Sequence, residues 1–462
     1  MADAPLTAPF AGRTLHFVGI GGAGMSGLAL VAAQLGASVT GSDQAESSYC
    51  ERLRATGIEP AIGHDAANVP EGAEVVVSTA IPADNPEVAA ARAAGAPVLH
   101  RGDLLGELSR MKRTIAVGGT HGKTTTASMA ALALIETGRE PAFLIGGELR
   151  AGGANAAWGE GEWAVIEADE SDRSFLKLGR EVAVVTNVEL DHHATYASLS
   201  ELEEAFDEFA RPAEVRVLGP GVEVAGEGDP VTFGIDSGKF RARDVTLGPG
   251  TSRFSVEAGA AENSGGVPGG DAVQVELAVP GAHNVLNALA ALAALEAAGV
   301  PVEEAAPALA GFSGAGRRFE HHGHTEGGAE VYDDYAHHPT ELRATLEAAR
   351  TLEPRRLVAC FQPHLYSRTR MLAREFGGAL ALADLIVVLD IYRARERPED
   401  FPGVSGYLVA EAAADAAGGR PVWWLPDLDD AERQLRAELG EGDLLMTIGA
   451  GNVDELARRL TA

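Results

Sequence analysis

With 462 residues the chain is too long for one hydrophobic core and suggests about three domains at ~150 residues each. An apolar fraction of 46% with 23% charged residues excludes a largely disordered chain, and no apolar run approaches the ~20 residues of a membrane span. A formal charge of -30 argues against general nucleic-acid binding and reads first as a solubility or salt adaptation. Two cysteines, Cys50 and Cys360, make neither a disulfide framework nor a zinc site, and the opening MADAPLTAPFAGR lacks the pattern of a secretory signal. A cytoplasmic protein with reduced thiols is expected.

The first segment, 1–110, alternates strand and helix: RTLHFVGI, a glycine-rich turn, GLALVAAQLG at helical spacing, ASVTGSD, and later EVVVST. Such alternation predicts a Rossmann-like parallel sheet. Gly19 to Gly24 follow the strand and open the helix, and Asp43 ends the second strand about twenty residues on, as a dinucleotide fingerprint requires. A nicotinamide-dependent oxidoreductase is therefore one reading. The same glycines suit any diphosphate, including that of a nucleotide sugar. Ser26, just inside the helix, either adds a hydroxyl to that site or faces solvent.

The second segment, 111–319, opens with the strand RTIAVGG, which runs into Gly119, Thr120, His121, Gly122, Lys123, Thr124 and Thr125 and a second helix. Successive backbone N–H groups there form a nest for phosphate oxygens, with Lys123 placed for the β- and γ-phosphates of ATP and the Thr124 hydroxyl for magnesium. The full P-loop pattern wants a glycine where Val117 stands, so the loop is a shortened variant. Magnesium needs one or two further carboxylates. Glu167 in VIEADESD and Asp191 or His192 in NVELDHH close apolar strands and are suited to that task. From about Arg211 to Pro280 short alternating runs predict hairpins, AENSGGVPGGD reads as a loop tip, and GAHNVLNALAALAALEAAGV predicts an amphipathic helix ending near Gly299.

The third segment, 320–462, alternates again, with strands AEVYDDYA, RRLVACFQ, ADLIVVLDIY, PVWWLP and DLLMTIGA between alanine-rich helices. The fold class expected is thus α/β in three domains: Rossmann-like, then a P-loop ATPase unit with a small antiparallel portion, then a second open α/β sheet. A non-catalytic nucleotide sensor is disfavoured by the intact Lys123, Thr124 and Glu167.

Taken together, GGTHGKTTT, VIEADESDRSFL, TNVELDHH, GAHNVLNALAAL, GRRFE, VYDDYAHHPTE and FQPHLYSRT resemble the Mur ligase family, in order and through all three segments. The resemblance implies a C-terminal domain that is Rossmann-like and binds the amino acid, and ATP-dependent ligation of L-alanine to UDP-N-acetylmuramate in peptidoglycan synthesis, through an acyl phosphate. A near alternative inside the family joins a recovered tripeptide to the same nucleotide sugar. The resemblance assigns the UDP-sugar to Gly21, Gly22, Ala23, Gly24, Ser26, Asp43, His64 and Ser78. It sets Asn284 and Asn287 beside adenine, Arg317 and Arg318 toward the phosphates or migrating phosphoryl group, and Asp333 or Asp334 at ribose. Magnesium would take Thr124, Glu167 and His192, and the amino acid Tyr335, His337, His364 and Arg368, with Arg368 on its carboxylate and His337 a candidate base. The chain departs from the family pattern at Leu365, basic in some members, and in SLSELEEAFDEFA, which lacks the lysine that related ligases carbamylate. A monomer or weak homodimer without membrane partners is expected.

Overall fold

The computed structural model describes residues 8–149, 153–193, 195–258, 272–394 and 396–462. Three sheets follow one another along it. Thr14–Val18, Ser38–Asp43 and Glu74–Val77 are short runs that pair in parallel, and with Ala61–Ile62 and Val98–His100 they form a five-stranded parallel sheet. Strand order reverses between Thr14–Val18 and Glu74–Val77, where such sheets open a crevice at their carboxyl ends. The first glycine turn lies there, because it leads from Thr14–Val18 into the helix Ala23–Gln34.

The middle sheet has ten strands. At its heart Arg113–Gly118 lies between Trp163–Glu167 and Val182–Val185, all parallel and nearly fully buried. Such uninterrupted apolar strands need cover on both faces. The helix Lys123–Glu136 and its neighbour Ala282–Ala297 supply one side. The other side carries a hydrophobic cluster that runs from Leu15, Phe17 and Leu28 of the first unit into Ile166, Phe206 and Phe209 of the second. First and second units therefore share a core.

Two expectations are corrected here. Among the described residues between 211 and 280, hairpins form only among Phe240–Gly248, Thr251–Ala258 and Val273–Leu277; Val215–Leu218 and Val231–Ile235 run parallel and extend the middle sheet. Val215–Leu218 is largely buried, which suits a parallel strand covered on both faces. The helix Ala282–Ala297 is buried from Asn284 and Val285 through Leu295 on nearly every side, so it is a core helix and not an amphipathic one. The predicted loop tip AENSGGVPGGD lies outside the described residues. A hairpin of Ala142–Leu149 with Ala154–Trp158 had no counterpart in the sequence reading.

The third sheet has six strands, five of them parallel, with Glu320–His324 antiparallel at one edge. Its two faces carry separate clusters, one around Phe361 and Phe376, the other around Val387 and Leu435. Among the described residues no helix is long and apolar enough to cross a membrane.

Candidate active site

The second glycine turn owes its shape to two positive φ angles, +123° at Gly119 and +79° at Gly122. A Cβ at Gly119 would meet Thr186, and one at Gly122 would meet the Asn287 amide oxygen, so neither position admits a side chain. Asn187 fixes the loop from outside: its Oδ1 accepts from the His121 N–H at 2.9 Å and its Nδ2 donates to the His121 carbonyl at 3.1 Å. Below the loop, Asn287 Oδ1 accepts from Thr126, Asn287 Nδ2 donates to Asn284 Oδ1, and Asn284 Nδ2 donates to the Pro280 carbonyl at 2.7 Å. The two asparagines thus brace the loop as well as lining the adjoining cavity.

That cavity, of about 300 Å³, runs from His121, Gly122, Thr124 and Thr125 past Asn284 and Asn287 to an apolar end of Phe233, Val279, Leu286 and Phe312. Arg318, at the end of the second unit, closes it together with Asp334 and Thr340 of the third. A charged mouth with an apolar slot matches the shape of a nucleotide: phosphates on the nest, base in the slot.

Lys123 Nζ donates to the Gly119 and Thr120 carbonyls at 2.7 and 3.0 Å and lies 2.9 Å from Glu170, a fully buried carboxylate. Burial opposes its charge, yet Glu170, Asp169 and Glu167 raise its pKa. Glu170 also lies 3.2 Å from His192 Nε2 and so joins the loop lysine to a candidate magnesium ligand. Thr124 Oγ1 donates to Glu167 Oε1 at 3.0 Å, and the other Glu167 oxygen accepts from the Gly146 N–H at 2.6 Å. Hydroxyl, carboxylate and imidazole, all oxygen or nitrogen donors beside a phosphate nest, are a donor set that fits magnesium. His192 stands at φ +53°, an uncommon conformation for a side-chain-bearing residue and one that collects at functional sites.

A second cavity, of about 200 Å³, opens on the far side of Glu167. Its walls are Ala23 and Gly24 at the first helix's start, Arg101, Asn155, Glu167 and Asp169. Arg101 bonds Asp169 at 2.8 Å and Asp172 at 3.1 Å and lies over Gly24. Glu167 therefore separates the phosphate nest from the crevice that the first glycine turn faces.

Around that turn several expectations change. Asp43 Oδ2 accepts from the Gly21 N–H at 2.8 Å, closing the loop on itself where a free ribose acceptor was expected. Ser26 neither faces solvent nor opens to a ligand: it is buried, donating to the Ala23 carbonyl and accepting from Asn155. His64 bonds Ser42 at 2.9 Å and lies 3.4 Å from buried Glu87, while Ser78 Oγ caps its own turn by accepting from the Ala80 N–H. Gly21 and Gly22 stand at the helix start, Gly22 as its N-cap.

At the third unit, Tyr335, His337 and His364 form a chain of rings at 5.6 and 6.0 Å, and His364 Nδ1 meets Arg368 at 3.1 Å. These four do come together. Arg368, however, is not an open clamp. It grips Asp191 with Nε and Nη2 at 2.8 to 3.0 Å, both side chains 3% exposed. Burial opposes the charge of Asp191, but Arg368 and His192 hold it well below the usual carboxylate range. Burial pushes His337 down to about 4, and its Nδ1 bonds the Tyr335 carbonyl, so it is a neutral and weakly basic imidazole. Leu365 caps the following helix at φ +69°.

Arg317 and Asp333 are also reassigned. Arg317 bonds Asp333 at 2.9 Å and the carbonyls of Gly449 and Gly451, and Asp333 is fully buried and bonded to Thr447. That pair holds the third sheet together and leaves Arg318 and Asp334 as the neighbours of the nucleotide cavity.

Glu170, Glu189, Glu341 and Arg101 were absent from the sequence reading. Glu341 had a local signal, since His338-Pro339-Thr340-Glu341 is a helix-start pattern and the structure closes a capping box there. The others meet partners far along the chain.

A phosphate nest with its lysine, a donor set for a divalent cation and a second crevice across one carboxylate define a nucleotide-dependent enzyme of the P-loop class acting on a second bound substrate. Family profiles agree in chain order: "Mur ligase family, catalytic domain" matches residues 14–113, "Mur ligase middle domain" 117–295, and "Mur ligase, glutamate ligase domain" 317–451. The UDP-N-acetylmuramate--L-alanine ligase of Streptomyces coelicolor is 48% identical, with 96% of each chain covered. Among solved structures, UDP-N-acetylmuramate-alanine ligase from Thermotoga maritima aligns at TM-score 0.82 and 30% identity over 97% of this chain and 98% of that one. A murein peptide ligase from Psychrobacter arcticus aligns at 0.73 and 26% over the same shares. The chain belongs to the Mur ligase family.

Proposed function

We propose that this chain joins L-alanine to the lactyl carboxylate of UDP-N-acetylmuramate, with ATP converted to ADP and phosphate, in peptidoglycan precursor synthesis in the cytoplasm. The observation that carries the reading is the position of Glu167, bonded to Thr124 of the phosphate nest and lining the crevice beside Gly24. A carboxylate delivered through that crevice meets the γ-phosphate there. The domains are read as 1–110 for the nucleotide sugar, 111–319 for ATP and 320–462 for the amino acid.

The substrate carboxylate oxygen attacks the γ-phosphorus, the bond to the β-phosphate oxygen breaks, and an acyl phosphate forms as ADP leaves. The alanine amine then attacks the acyl carbon, the C–O bond to phosphate breaks, and the amine proton passes to solvent or a base. Lys123 and Arg318 carry the positive charge that offsets the moving phosphoryl group, the main task in such transfers. Magnesium, when bound by Thr124, Glu167 and His192, would neutralise phosphate oxygens. Asn284, Asn287 and the Phe233 and Phe312 rings hold the base, and Asp334 takes the ribose.

For the amino acid, the reading assigns a small zwitterion to the adjoining rings of Tyr335, His337 and His364. Phosphate release measured with UDP-N-acetylmuramate and single amino acids tests this directly. L-alanine should be preferred over a recovered tripeptide by ~100-fold or more in kcat/KM, the discrimination about 3 kcal/mol supplies. Preference for the tripeptide would assign the chain to the murein peptide ligase activity instead.

A further inference from the structure

Beside the phosphate loop, side chains from three separate stretches converge. His121 Nε2 lies 3.3 Å from Glu189 Oε2, and His338 Nδ1 lies 3.6 Å from the same oxygen. One ligand atom from each of the three falls within 4.8 Å of the others. Around a tetrahedral ion with bonds near 2.1 Å, ligand atoms stand roughly 3.4 Å apart, so small adjustments suffice to receive one.

The surroundings are also those of a metal site. Imidazoles that bind metals commonly give their other nitrogen to a carboxylate, and His121 Nδ1 faces Glu341 at 3.3 Å. Glu189 is steadied by the Thr340 hydroxyl at 2.6 Å. His338, which burial pushes down to about 4, is neutral and offers its Nδ1 lone pair, now engaged only by a long 3.4 Å contact from the Thr340 N–H. An ion between His121 and Glu189 would take the place of the proton they share.

We propose that His121, Glu189 and His338 form a site for a borderline transition-metal ion of the zinc class, separate from Thr124, Glu167 and His192, whose occupation obstructs the nucleotide cavity. Two imidazoles favour such an ion over magnesium, which seeks oxygen. Obstruction follows because His121 and Glu189 line the cavity and because the ion would pin the phosphate loop to the helix Pro339–Arg350. This second part rests on reading the cavity as the ATP site; the binding part does not.

The test is calorimetric titration of zinc chloride into the full chain in saturating magnesium chloride. One zinc per chain is expected, weakened at least tenfold by His338→Asn, which keeps a good helix cap, and by about tenfold in Glu341→Gln. His192→Ala should leave zinc affinity unchanged. If His338→Asn does not fold, Glu189→Gln makes the same test. Unchanged affinity in these variants, or loss of zinc in His192→Ala, would overturn the site. Zinc should also raise the KM for ATP and not that for the nucleotide sugar; an unaltered KM for ATP would overturn the obstruction. Zinc-free phosphate release reports on the proposed ligase reaction separately.

Discussion

The two glycine turns each follow a parallel strand and each begin a helix on an uncharged cap, Gly22 in one case and Gly122 in the other. Their surroundings differ. The first turn is closed by the Asp43 carboxylate and braced by the neutral Ser26 and Asn155, with Arg101 the nearby cation and that already held by Asp169 and Asp172. The second is bound up with charge: Lys123 on Glu170, Glu170 on His192, His121 between Glu189 and Glu341. A glycine turn provides a place for a phosphate; the charges around it decide whether the phosphate is held or transferred.

The largest effect is expected where the second turn's surroundings depend on the third unit. Arg368→Ala leaves Asp191 buried and unpaired, which costs about 3–5 kcal/mol, and Arg368→Lys should not restore a two-pronged contact. Denaturant unfolding and alanine kinetics read this together. A tether predicts lost stability and lower kcat, whereas a rise in KM for alanine alone would return Arg368 to the role of substrate clamp.

Gly122→Ala should come next. Its side chain would collide with Asn287 at a left-handed backbone position, so ATP affinity should fall by ~10–100-fold, about 1–3 kcal/mol of strain, while the nucleotide sugar binds as before. Equal loss at both substrates would mean the two turns are not independent. Asp43→Ala, which frees the Gly21 N–H, should cost about tenfold in nucleotide-sugar affinity, near 1.4 kcal/mol, and leave the KM for ATP unchanged.

The smallest effect concerns His121. Burial works against its charge, but Glu341 and Glu189 raise it to about 9, above the ~6.5 of an unfolded chain. The stabilisation is then complete below pH ~6.5 and lost as pH rises through about 9. The thermal midpoint of the unaltered chain minus that of His121→Gln should shrink by a few degrees between pH 6 and 9.5. A constant difference would show that the charge of His121 is unimportant.

Sequence disclosed what is local. Strands and helices alternate with clear periods, and Lys123 and Thr124 follow their glycine at fixed spacing, so the three sheets and the phosphate nest were legible. Partners brought together by folding were not: Asp191 and Arg368 are 177 positions apart, and Lys123 and Glu170 are 47. For that reason the protein partners of Arg368, Asp333 and Asp43, residues assigned to ligands, have no signature in the local sequence. Ser26 misled for another reason, since a serine in a helix's first turn gives no sign of the Asn155 that buries it.

The most direct test is Lys123→Ala, assayed for alanine-dependent phosphate release and, separately, for binding of UDP-N-acetylmuramate. Loss of the lysine of the second glycine turn should lower phosphate release by ~1000-fold or more, at about 4 kcal/mol, with nucleotide-sugar affinity unchanged. A variant that releases phosphate at an undiminished rate would contradict the assignment of the second glycine turn as the ATP site.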